Sequence, residues 1–132
     1  VLVLTRRIGE SIRIGDSVRL TVRAKLRGHI TLTLYAPTRV RLADDADIEL
    51  LPEKRGRHGI RYRASLLLGD SLRIGEVVTV WIGGCPKRER MTHMRGGQVR
   101  IGIEAPECVK IYREELYQRI RRGEPAPYAE AI

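Results

Sequence analysis

The chain repeats itself. Gly9-Glu10-Ser11-Ile12-Arg13-Ile14-Gly15-Asp16-Ser17-Val18 returns as Gly69-Asp70-Ser71-Leu72-Arg73-Ile74-Gly75-Glu76-Val77-Val78. Gly, Ser, Arg, Ile, Gly and Val recur in register, and the acidic positions exchange only Asp and Glu. A second pair follows: His29-Ile30-Thr31-Leu32-Thr33-Leu34-Tyr35-Ala36-Pro37 parallels Gln98-Val99-Arg100-Ile101-Gly102-Ile103-Glu104-Ala105-Pro106. A duplication restricts the chain to two copies of one small unit. The first offset is 60 residues and the second 69, so the second copy carries nine more between its matched blocks. They fall in a glycine-bounded, mostly basic loop at 85–96, which predicts either a contact to phosphates or a plain surface loop.

Within each copy the apolar residues alternate, which predicts strands. In the first copy these run over Val1–Arg7, Ser11–Ile14, Ser17–Lys25, His29–Tyr35 and Arg39–Leu42. Gly15-Asp16 and Arg27-Gly28 supply turns. The chain has no Phe and one Trp, so a core must come from Val, Ile and Leu, which suit pleated strands. The second copy repeats the order through Lys110–Tyr112 and adds a helix near Arg113–Arg122, with Leu116, Tyr117 and Ile120 on one face. The expected organisation is a first unit at 1–51, a linker at 52–62, a second unit at 63–122 and a tail at 123–132. Units of about fifty residues are marginal alone, so the two should share one folded body.

Charge narrows the partner. The chain of 132 residues carries 25 Lys and Arg against 16 Asp and Glu, a net charge of +9. Such a surface suits a polyanion, and arginine forks grip phosphate or a guanine edge. A GC-rich genome would also raise the arginine count, so composition leaves the partner open. Cys85 and Cys108 make no disulfide framework. Cys85 and His93 lack the companions of a metal site, and no cofactor is expected. His29, His58 and His93 have no catalytic partner spacing, and no Ser-His-Asp or paired-carboxylate constellation supports an enzyme. No apolar run approaches a membrane span and no leader pattern is visible, which leads us to expect a cytoplasmic protein.

The motifs are specific. Leu4-Thr5-Arg6-Arg7-Ile8-Gly9-Glu10, followed by Ile14-Gly15-Asp16, resembles the opening of the carbon storage regulator family (CsrA, also called RsmA). Gln98 to Ile103, Ala105-Pro106 and Val109-Lys110-Ile111-Tyr112-Arg113-Glu114-Glu115-Leu116 onward resemble its closing half. The resemblance implies a mostly β fold of two interleaved five-stranded units, here an intramolecular pseudo-dimer with a short C-terminal helix. It implies RNA sites that pair the first strand of one unit with the fifth of the other. The ligand would be a GGA motif in single-stranded or hairpin-loop RNA, bound to repress translation or change message lifetime.

The copies depart from the family in complementary places. The first keeps Leu4-Thr5-Arg6-Arg7, but its fifth strand, compared without gaps, puts Ala43 and Asp44 where Tyr112 and Arg113 stand in the second. The second copy keeps Ile111-Tyr112-Arg113, with Tyr where the family has His, but opens with Ala64-Ser65-Leu66-Leu67. Crossed pairing therefore predicts one working site of Leu4, Thr5, Arg6, Arg7, Arg100, Ala105, Pro106, Val109, Ile111, Tyr112 and Arg113. It predicts one degenerate site of Ala43, Asp44, Ser65, Leu66 and Leu67. Arg13 and Arg73 read as exposed strand positions, and Glu114 and Glu115 as helix-start residues complementing the dipole. The alternative is a protein-interaction module that binds an antagonist or ordinary family members. A monomer is expected, with a strand-exchanged dimer the other possibility.

Overall fold

The computed structural model describes residues 2–37, 40–42, 50–57, 59–83 and 96–123. Eleven strands and one helix appear among them. In the first copy these are β1 (Leu2–Arg7), β2 (Ser11–Ile14), β3 (Val18–Leu26), β4 (His29–Ala36) and β5 (Val40–Leu42). Then come β6 (Pro52–Gly56), β7 (Gly59–Leu66), β8 (Ser71–Ile74), β9 (Val78–Ile82), β10 (Gln98–Glu104), β11 (Ile111–Arg113) and α1 (Glu114–Arg121).

The two copies interleave. A five-stranded sheet has the order β1-β10-β9-β8-β5, and a six-stranded sheet the order β11-β2-β3-β4-β7-β6. Each sheet thus takes its three central strands from one copy and its flanking first and fifth strands from the other, all antiparallel. Neither copy closes a sheet alone. Ile12, Leu20, Leu32 and Leu34 of the first copy share one core with Leu72, Val80, Ile101 and Ile103 of the second.

The turns repeat as closely as the strands. Gly9 and Gly69 both have φ of 92°, and Gly15 and Gly75 both 62°, a region where a Cβ is strained. The Glu10 carboxylate accepts from the Arg7 backbone N–H at 2.7 Å, and Asp70 accepts from Leu67 at 2.9 Å. The Asp–Glu exchange therefore keeps the turn.

Two expectations change. The stretch 52–62 contains β6 and the start of β7, which pair with each other, Lys54 opposite Arg61 and Gly56 opposite Gly59. Proline opens β6, at the head of an edge strand where a missing N–H is tolerated. The fifth strands also pair two residues away from the gap-free comparison. Val40, Arg41 and Leu42 face Ile74, Arg73 and Leu72, whereas Ile111, Tyr112 and Arg113 face Ile14, Arg13 and Ile12. Leu42, not Asp44, thus holds the register position of Arg113. Ala43 and Asp44 lie outside the described residues, as do residues 85–95 of the inserted loop, with Cys85 and His93, and also His58 and residues 124–132 of the tail.

Candidate nucleic-acid interface

β1 lies at the edge of the five-stranded sheet and β11 at the edge of the six-stranded one. A short tie joins them. The Arg6 guanidinium donates to Glu115, at 3.1 and 2.9 Å, to the Ser11 carbonyl at 2.9 Å, and pairs with Glu10 at 3.1 Å. Glu115 lies in the first turn of α1, which continues directly from β11. The opening strand of the first copy is therefore clamped to the closing strand and helix of the second.

Arg6, expected to face a ligand, is only 5% exposed, and its guanidinium is engaged within the protein. It positions the two elements. The Glu115 carboxyl is affected in both directions. Partial burial works against its charge, but hydrogen bonds from Arg6 and its own backbone N–H, with the fields of Arg6 and Arg113, hold it below the usual carboxylate range. Arg13 also differs from its expected solvated state. It donates two bonds to Glu114, at 2.9 and 2.6 Å, and lies over the Tyr117 ring at 4.4 Å. Glu114 and Glu115 thus do more than complement the helix dipole; each fastens α1 to a different strand of the first copy. Leu116 and Tyr117 bury the helix, while Ile120 is left exposed.

Around the clamp the candidate residues separate into groups. Thr5 and Arg7 are exposed on β1, and Thr5 stands opposite Arg100 in register. Leu4 is buried in the core. Ala105, Pro106, Val109 and Ile111 line a hollow of about 230 Å³ with Leu2 and Ile103. Arg113 is half-buried at the cap position of α1. Neither its side chain nor that of Arg7 has a hydrogen-bond or ion-pair partner among the described residues. Tyr112 points the other way, as alternation on a strand requires. Its ring lies 6.4 Å from that of Tyr117, and both line a neighbouring hollow with Gly15, Asp16 and Lys110. Nothing in the sequence signals the Arg6–Glu115 tie, because its partners are 109 residues apart.

The opposite flank is built alike but from different residues, with β6 added outside the first half of β7. β4 pairs with β7 as β10 pairs with β1: Ser65 faces Thr31 as Thr5 faces Arg100, and Leu66 faces Ile30 as Arg6 faces Val99. Leu66 is 3% exposed, so an apolar side chain fills the place of the buried Arg6. Leu67 is 46% exposed in the place of Arg7. The clamp residue is absent from this edge. Among the described residues no cluster of His, Cys, Asp or Glu could hold a metal ion, and no helix is long and apolar enough to cross a membrane.

Comparison with known proteins agrees with this architecture. The model of the CsrA global regulator protein family matches residues 1–43 and again 67–122. The second match begins at Leu67, just after β7, the strand whose Leu66 departs from the first copy. The chain is 48% identical over 50 residues to the translational regulator CsrA of Geobacter sulfurreducens and 42% identical over 50 residues to that of Geobacter metallireducens. Each match covers 38% of this chain and 60% of the relative's length. No solved structure matches. With three quarters of its length matched in two successive segments, the chain belongs to the CsrA family of global regulators, a family of translational regulators and not of enzymes.

Proposed function

We propose that this chain is a sequence-specific RNA-binding regulator that takes GGA-containing hairpins or single strands, and so represses translation or changes message lifetime. One composite site per chain does this work, between β1 and the β11–α1 junction. The observation that carries the reading is the Arg6–Glu115 clamp, which holds Arg7 and Arg113, unpartnered among the described residues, on either side of one seam. Guanidinium forks not hydrogen-bonded to a carboxylate can take phosphate or the O6 and N7 edge of guanine. The outer edge of β1 adds backbone donors and acceptors that no described strand uses. Ala105, Pro106, Val109 and Ile111 extend the same seam and supply apolar contact for a splayed base, and Arg100 adds a cation opposite Thr5. Tyr112 contributes from the adjoining hollow. A regulator of translation acts in the cytoplasm, and a monomer suffices because both halves of the site are in one chain.

The test is the affinity of a GGA-loop hairpin for the intact chain and for Arg113→Ala, with a loop lacking GGA as control. Selective loss in the variant supports the site; equal affinity of the two proteins rejects it. A second reading, a protein-interaction module, draws on the exposed Leu67 and Leu68 at the opposite edge. It predicts nuclease-resistant capture of a defined protein that Leu67→Arg abolishes.

A further inference from the structure

The outer faces of the two sheets differ in character. On the six-stranded sheet the outward row runs Arg19 beside Tyr35, Tyr35 beside Arg61, and Arg61 beside Lys54. The next row holds Thr21, Thr33 and Arg63. Arg23 sits in a bulge of β3 and turns its Nε to the Thr33 hydroxyl at 3.2 Å. Arg23, Thr33, Glu53, Arg61 and Arg63 line a shallow hollow of about 230 Å³. Glu53 pairs with Arg61 at 3.4 Å, yet the Arg61 Nε makes no hydrogen bond. Arg63 has no hydrogen-bond or ion-pair partner among the described residues.

Corresponding positions in the five-stranded sheet provide a comparison within one molecule. Thr79 stands for Arg19, Glu104 for Tyr35, Val3 for Arg63 and Trp81 for Thr21. Sixty residues after Arg23 stands Gly83. The shared fold therefore does not require the arginines of the first face.

We propose that this basic face holds the single-stranded RNA flanking the recognised motif, through its phosphates. The proposal rests on the RNA-binding reading above. Charge favours RNA, since among the described residues four arginines and Lys54 face one carboxylate there, that of Glu53. The lining also disfavours a protein, whose interfaces centre on apolar, charge-poor patches. Between these arginines lie threonine hydroxyls and one tyrosine ring, with Arg19 over it at 5.2 Å. Arg61 and Arg63, two apart on a strand, are spaced by about 6.5–7 Å, and neighbouring strands by about 4.8 Å. Such a grid can follow a backbone that carries one charge per nucleotide. The face also continues from the composite site. The row through Arg19 extends to Arg13 and then Tyr112, where α1 takes up Arg13. RNA leaving the site beyond the helix meets the open arginines.

The experiment compares a GGA hairpin with the same hairpin bearing a tail of about twelve uridines. The proteins are the wild type, the triple variant R19A/R61A/R63A, and the corresponding triple lysine variant. The tail should tighten wild-type binding about tenfold. The alanine variant should bind the tailless hairpin normally and lose the gain. Its salt slope on the tailed hairpin should be lower by about two, since each phosphate left unneutralised on a single strand removes about 0.7. The lysine variant should recover most of the gain. An undiminished gain in the alanine variant would overturn the proposal, as would equal weakening on the tailless hairpin. So would polyglutamate binding to this face more tightly than oligouridine. Oligouridine alone separates the two readings: if it binds through this face while the GGA hairpin does not bind, the composite site fails and the face stands.

Discussion

The two flanks of this molecule, β1 on β10 and β7 on β4, share register and turns, and differ in what fills them and in β6, which pairs outside the first half of β7. At one, Arg6 is buried and tied to Glu115, and Arg7 is exposed beside it. At the other, Leu66 is buried and Leu67 exposed in the same register. Both solutions satisfy the core, so stability alone did not require the arginines. Replacing a buried ion pair by a well-packed apolar residue is often neutral. The clamp is therefore best explained by what it holds in place.

The first way to break the comparison is to ask whether the edges belong to one body. Leu32→Ala in one sheet and Ile101→Ala in the other each empty a fully buried position. Each should cost about 2–5 kcal/mol, and both variants should unfold in a single transition followed by circular dichroism and calorimetry. Two transitions would separate the sheets. Next in size is the functional contrast. Arg113→Ala should weaken binding of a GGA hairpin about 10–100-fold, the range expected when one bidentate arginine–base pairing is removed. Leu67→Ala, at the opposite edge, should leave that affinity unchanged.

The clamp can also be converted to its counterpart. Arg6→Leu copies the residue at position 66, so the melting temperature should move by only a few degrees while affinity falls several-fold as α1 loses its tie to β1. Loss of fold would show that the two positions are not equivalent. The smallest effect concerns pH. The Glu115 carboxyl titrates lower in the folded protein than in the unfolded chain. Its contribution is complete at neutral pH and is lost as pH falls through the folded value. RNA affinity should drop over that acid range in the wild type, and Glu115→Gln should already be weaker at pH 7 and flatter below it.

Much of this was legible in the sequence because duplication supplies its own control. Alternation in the first copy and its return in the second anticipated every strand but β6, and the resemblance implied the crossed pairing that the sheet orders display. Local patterns failed where tertiary pairing decides. Pro52–Gly56 has no alternation and two adjacent cations, and it becomes a strand because β7 offers it an edge. The fifth strand of the first copy slips by two residues against β8, a choice that a gap-free comparison cannot register. Arg6 and Arg7 look alike in sequence; strand alternation sends one inward and the other outward. The basic face is hidden from a linear reading because its arginines come from β3 and β7, strands that meet only across β4.

The central claim is that one edge binds RNA and the other does not, and stoichiometry tests it most directly. Native mass spectrometry or calorimetric titration with a short GGA hairpin should give one RNA per chain, whether the protein is a monomer or a strand-exchanged dimer, and Arg113→Ala should weaken that single event about 10–100-fold. Two hairpins bound per chain, or one that survives Arg113→Ala and is lost with changes at Leu66 and Leu67, would contradict the account.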